Sequence, residues 1–173
     1  MNCVIRFAGA ARWFVLCALA LLASAVAATP GSTPTREEIF PGLFLIKGCV
    51  NTAVFERNGR TLLIDSGELT AAPNGGPVDW VLVTHHHRDQ ASHVDRLVAA
   101  GAKLVVPAVE EKLFSDAEDF WKAQRHTLTS FRPSRFTRRE SVPVARTVRA
   151  GDTLEWEGLK FQTIETPGHT DDR

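Results

Sequence analysis

The chain has 173 residues, no formal net charge, and 44% hydrophobic against 23% charged residues. That balance excludes a disordered or collagen-like chain, and three cysteines are too few for a disulfide scaffold. A pI near 7.0 leaves no electrostatic footprint for a nucleic-acid partner, and none is expected.

Residues 1–28 read as an export signal. Arg6 and Arg12 precede an apolar run over 13–28, which closes on Ala25-Val26-Ala27, an A-x-A cleavage pattern. The run is shorter than the roughly 20 apolar residues of a membrane span, so no stable span is expected after cleavage. Loss of Arg6 and Arg12 takes the formal charge from zero to −2. Cys3 and Cys17 leave as well, and Cys49 then has no internal disulfide partner and reads as a small packed residue. A periplasmic or secreted protein is expected.

Residues 29–37 are polar and proline-containing, a tether to a single domain over 38–173. Strands are predicted at 42–47, 50–57 and 61–64, the last two joined through Asn58-Gly59, a strong hairpin signal. Asp65-Ser66-Gly67 stops the third strand, and 71–77 is a Gly/Pro/Asn loop. The run 78–83 is apolar apart from Asp79, the pattern of a strand covered on both faces.

A helix follows over 90–100 and ends at Gly101, a natural residue just past a helix end. Strand 103–106 stops at Pro107. Residues 109–124 read as an amphipathic helix, with Leu113, Phe114, Ala117, Phe120 and Trp121 toward the core. Residues 125–146 carry Arg125, Arg132, Arg135, Arg138, Arg139 and Arg146, interrupted by Pro133 and Pro143. This is an extended surface loop, either a solvated face or a wall that attracts an anionic substrate. Strands at 147–149, 153–156 and 159–165 close the pattern, with turns at Gly151-Asp152 and Glu157-Gly158.

The chemistry gathers in His85, His86, His87 and Asp89, an H-x-H-x-D string at the carboxyl end of the apolar strand. Open α/β sheets place ligand sites there. Residues two apart in extended chain face the same way, so His85, His87 and Asp89 share one side and His86 the other. Imidazole and carboxylate are the ligand set of zinc or iron at hydrolytic or redox sites. His169, in the turn Thr166-Pro167-Gly168-His169, offers a third imidazole, and three His ligands plus water make an open, catalytic type of zinc site. His93 and His126 stand alone and read as structural.

Taken together these segments resemble the metallo-β-lactamase superfamily. The resemblance covers about 38–173 and is carried by the opening at 43–51, "LLIDSG" at 62–67, "VLVTHHHRDQ" at 81–90 and "AGDTLEWEGLKFQTIETPGHT" at 150–170. It implies an α+β fold, the αββα sandwich, present here as its first half: one β-sheet with flanking helices, truncated at the C-terminus. It implies a metal site from His85, His87 and His169. Asp89 would be a ligand of a second site, or the base that orients the attacking water, and Asp65 a group that orients the His ligands. The family string usually runs H-x-H-x-D-H, and Gln90 stands in the last place. A carboxamide is a poor zinc ligand, so one zinc rather than two is implied.

The function that follows is a metal-dependent hydrolase acting on a small molecule through a lactam, lactone, thioester or phosphoester bond. The alternative is a non-catalytic relative that needs a partner half or an oligomer, or a non-functional fragment. The family's second half supplies a bridging acid or thiolate and a final His, and Arg173 falls just after the first half.

Overall fold

The computed structural model describes residues 35–48, 50–87, 89–119 and 140–169, together with the backbone of 2–9 and 12–14. Seven strands form the main sheet in chain order: β3 (Thr35–Phe40), β4 (Leu43–Lys47), β5 (Thr52–Arg57), β6 (Arg60–Ile64), β7 (Val78–Leu82), β8 (Lys103–Pro107) and β9 (Arg146–Val148). β3 to β6 run antiparallel, because short turns join them. Asn58 and Gly59 take φ of 51° and 74° in the β5–β6 turn, the two left-handed positions that an Asn-Gly hairpin needs. β6 to β9 are parallel, each reached by a longer crossover.

Both faces of this sheet are covered. Consecutive residues point to opposite sides, so Leu62 and Leu63, Val81 and Leu82, and Leu104 and Val105 divide between two apolar cores. One core joins Val54, Leu63, Val81, Leu104 and Val106 to Val94 and Leu97 of helix α1 (Val94–Ala99) and Phe114 of helix α2 (Glu111–Ser115). This double coverage explains the nearly unbroken apolar run at 78–83.

The other core joins the sheet to a second one, which corrects the single-sheet expectation. β10 (Thr153–Trp156) and β11 (Leu159–Thr166) form a hairpin and share a four-stranded sheet with β1 (Asn2–Gly9) and β2 (Arg12–Phe14). The hairpin sets Leu154, Trp156, Leu159 and Phe161 against Phe55, Leu62, Leu82, Val105 and Val148. Phe55 meets Phe161 edge to face, with ring centroids 5.0 Å apart. Asp79, the polar break in 78–83, accepts a 2.8 Å hydrogen bond from Trp156 Nε1 and an ion pair from Arg60, and so latches the two sheets. β1 pairs antiparallel with β11, from Asn2 opposite Thr166 to Ala8 opposite Lys160. Both β1 and β2 fall in the segment whose composition reads as an export signal, so cleavage after residue 28 would strip that edge of β11.

Three elements differ from expectation. β3 begins at Thr35, inside the stretch read as a tether. All six of its residues are exposed, so backbone pairing with β4 holds it and no apolar alternation marks it. The helix expected over 90–100 is confined to Val94–Ala99, because residues 90–93 turn tightly to serve the site; Gly101 (φ 106°) ends it as expected. The helix expected over 109–124 starts as a 3-10 turn, Ala108–Glu110, and α2 breaks at Asp116 (φ −137°, ψ 41°), with Ser115 Oγ bonding back to Glu111 O at 3.0 Å. Cys49, Phe120, Trp121, His126 and the loop arginines from Arg125 to Arg139 lie outside the described residues.

Phe161 is fully buried between the sheets. Phe161→Ala should cost about 3–5 kcal/mol of stability by urea unfolding. Lys160→Ala, next to it on the exposed face, should cost no more than about 0.5 kcal/mol. Equal effects would show that the hairpin does not pack on the main sheet.

Candidate metal centre

The site stands at the carboxyl ends of β6 and β7, with one residue added from the turn after β11. Ile64 ends β6, and Asp65 follows with φ of 60°, which turns the chain and points its carboxylate inward. Asp65 N–H still donates to Leu82 O at 2.8 Å, so the turn remains tied to β7. The carboxylate accepts the Thr84 backbone N–H at 2.8 Å and the Thr84 hydroxyl at 2.9–3.0 Å.

That second bond decides the state of His85. In its ionised form the Asp65 carboxylate only accepts, so above about pH 7 the Thr84 hydroxyl gives it its proton and itself accepts from His85 Nδ1, 3.0 Å away. His85 then carries its proton on Nδ1 and presents a bare lone pair on Nε2. Nε2 is buried and has no hydrogen-bond partner among the described residues. An orphaned acceptor of this kind in a 5% exposed side chain is costly unless something electron-poor meets it.

His87 and His169 face the same point. One ring nitrogen from each of His85, His87 and His169 lies within 4.8 Å of the others. The ring centroids are 4.6 to 4.9 Å apart. His169 Nε2 lies 3.1 Å from His87 Nδ1. In a tetrahedral zinc site with bonds of about 2.0–2.1 Å, neighbouring ligand nitrogens stand about 3.3 Å apart, so this spacing fits a shared ion. Three imidazoles converge here, one of them with a buried, unpartnered ring nitrogen, and the residues present fit a zinc-type metal.

Burial and the other imidazoles hold the pKa of His85 down at about 3, and burial followed by His86 and His169 lowers that of His87. Both rings therefore stay unprotonated and available as ligands near neutral pH. Burial pushes the Asp65 carboxyl up to about 7; the Thr84 bonds oppose this, and the charges of Asp89 and Glu110 add to it.

The loop beyond the histidines is fixed by its main chain. His87 O accepts the N–H groups of Gln90 and Ala91 at 3.1 Å. Gln90 O in turn accepts Ser66 N–H at 2.7 Å and Ser66 Oγ at 3.0 Å. Gly67 lies beneath this junction. A Cβ there would sit 2.6 Å from Thr52 Oγ1, at a φ of +48°, so glycine is required. His93, read as structural, donates through Nδ1–H to the Gly67 carbonyl, 3.3 Å away.

The structure thus brings His85, His87 and His169 together and puts Asp65 behind His85. Asp89 is not a member of the three-His group; it lies partly buried beside it, where its charge raises the pKa of His87 and Asp65. The Gln90 side chain offers a buried Oε1 with no partner among the described residues. Two participants were missed from sequence. Thr84 stands directly before the His string, but a lone hydroxyl at a strand end carries no pattern. Glu110, 3% exposed, lies 3.1 Å from His86 Nδ1 and comes from the 3-10 turn just before α2, which gives no signal at all.

The family model described as the metallo-beta-lactamase superfamily matches residues 47–173. The chain belongs to the metallo-β-lactamase superfamily. Solved structures agree on the fold. A Cronobacter sakazakii metallo-β-lactamase described by a HARLDQ motif is 21% identical, with a TM-score of 0.59, and the match covers 78% of this chain and 56% of that one. A subclass B3 metallo-β-lactamase of Bradyrhizobium japonicum is 16% identical with a TM-score of 0.62, covering 80% and 54%. A metallo-β-lactamase family protein from Thermus thermophilus is 25% identical with a TM-score of 0.58, covering 78% and 55%. This chain therefore spans little more than half the length of these relatives. No curated protein matches it significantly. The string HHHRDQ at 85–90 shares its first His and its closing Asp-Gln with HARLDQ, and has His87 where that string has Arg.

The two opposed pKa shifts separate in a pH series on the metal-free chain. Below pH 6.5 the unfolded chain protonates His85 while the folded chain does not, so this group withdraws stability as pH falls from 6.5 toward 3. Asp65 acts in reverse: the folded chain holds its proton below about 7 and the unfolded chain only below 3.8, so it adds stability as pH falls across that window. His85→Gln should therefore unfold at a midpoint that declines less on acidification than the parent's, by thermal melts from pH 7 to 4. Parallel declines would mean that His85 is not held neutral by the fold.

Proposed function

We propose that this chain is a metal-dependent hydrolase whose His85, His87 and His169 hold one zinc ion. The observation that carries this is the buried, unpartnered Nε2 of His85, fixed in its tautomer by Asp65 and Thr84 and facing two further imidazoles. A zinc-type ion bound there supplies Lewis acidity and brings the pKa of water to about 7. His85 and Thr84 give the site rigidity, while His169, exposed on its turn, leaves that flank open to a small-molecule substrate. Asp89, partly buried with its charge felt at His87, would accept the proton or hold the water. The bond attacked is a lactam, lactone, thioester or phosphoester.

Gln90 in place of the family's usual last His supports a single metal rather than two. Export to the periplasm or outside the cell is supported by the signal-like residues 1–28, and no helix among the described residues is long and apolar enough to cross a membrane. A non-catalytic metal-binding relative that works with a partner is the second reading.

Metal analysis after dialysis should find about one zinc per chain, and His87→Ala should lose it. Two equivalents held alike would overturn the single-site reading. Asp89→Asn should keep the metal while turnover of a chromogenic lactam, lactone, thioester or phosphodiester drops by roughly 10²–10⁴-fold. Metal loss in Asp89→Asn as complete as in His87→Ala would make Asp89 a ligand. A zinc-loaded parent that hydrolyses none of the panel would favour the non-catalytic reading.

A further inference from the structure

The histidine string is held from two sides. On the β6 side, Asp65 reaches His85 through Thr84. On the β8 side, the 3-10 turn Ala108–Glu110 brings a second carboxylate against His86 in the middle of the string. Glu110 is 3% exposed. Its Oε1 lies 3.1 Å from His86 Nδ1, and its Oε2 is buried with no hydrogen-bond partner among the described residues.

Burying a carboxylate costs free energy, and one with an oxygen to spare does not recover that cost as a stability device. An apolar side chain would fill the same space more favourably. Glu110 also sits close enough for its charge to be felt at His87 and at Asp65, so it belongs to the surroundings of the three-His cluster. What it grips is the residue between two of the imidazoles. His86 stands between His85 and His87 in the chain, and its ring lies 5.0 Å from that of His87, so where Glu110 holds His86 bears on how its two neighbours are set. The 4.6 Å separation of the His85 and His87 rings depends on that local backbone.

We infer that Glu110 is a positioning residue for the metal centre: by holding His86 from behind, it fixes the angle between His85 and His87 and so raises the affinity of the three-His site for its ion. This inference rests on the metal-site reading proposed above. The hydrogen-bonded partners behind metal ligands typically alter affinity 10–100-fold when removed. Glu110 acts through one intervening residue, so a loss near the lower end, roughly tenfold, is expected.

The test uses the full chain and measures zinc affinity by competition with a chromophoric chelator, with cobalt(II) absorption as a readout of ligand geometry. Glu110→Leu should bind zinc about tenfold more weakly and shift the cobalt bands, while Glu110→Gln, which still accepts a hydrogen bond from His86, should recover most of both. His86→Ala removes the same contact from the other side. It should reproduce the loss, which keeps the test open if Glu110→Leu fails to fold. Added to His86→Ala, Glu110→Gln should bring no further loss. Parent-like affinity and cobalt spectrum in His86→Ala, or in a folded Glu110→Leu, would overturn the role of Glu110 and leave the metal site standing. A parent chain that is folded and binds neither zinc nor cobalt would overturn the metal site itself, and this inference with it.

Discussion

The site depends on a buried carboxylate. Asp65 is pushed up to about 7 by desolvation, and what keeps an acid in that place is the pair of donors that Thr84 offers it. A carboxylate hydrogen-bonded this way is a rigid fixture, because turning it would abandon a backbone N–H and a hydroxyl in a dry interior. Its rigidity passes to His85, whose Nδ1 bonds to Thr84 and whose Nε2 is thereby left bare and aimed. The main sheet supplies the precondition. Asp65 and Thr84 reach each other because β6 and β7 are parallel neighbours that end at the same level.

The three imidazoles are not held with equal firmness. His85 is buried, His87 half-buried, and His169 exposed on a turn after β11. The first two belong to the main sheet and the third to the second sheet, so the ion that the cluster fits would join two layers that also meet through apolar packing, the Trp156–Asp79 latch and the bonds of Asn58 and Arg60 to Glu157. Metal affinity and the docking of the β10–β11 hairpin are then coupled, and whatever loosens the hairpin should weaken the site.

Much of this was legible in the sequence because local patterns carry it. Asn58-Gly59 announces its hairpin, the run 78–83 announces a strand covered on both faces, and His85-x-His87 at a strand end announces a ligand site. The unread parts are those where tertiary pairing overrides local pattern. β3 is exposed along its whole length and exists only by bonding to β4. The helix expected from residue 90 begins four residues late, since the main chain of Gln90 is committed to Ser66. No pattern in 153–166 tells whether that hairpin extends the main sheet or packs on it. Thr84 and Glu110 escaped for a related reason: each acts on a histidine from a position whose significance appears only when strands β6, β7 and β8 are laid side by side.

The central claim is that His85, His87 and His169 hold one ion together. X-ray absorption at the zinc edge of the loaded, dialysed chain tests it most directly. The expected result is a four-coordinate zinc with nitrogen or oxygen neighbours at about 2.0–2.1 Å and the multiple-scattering pattern of three imidazoles. A zinc ringed by carboxylate and water alone, or one with a sulfur neighbour at about 2.3 Å, would contradict it.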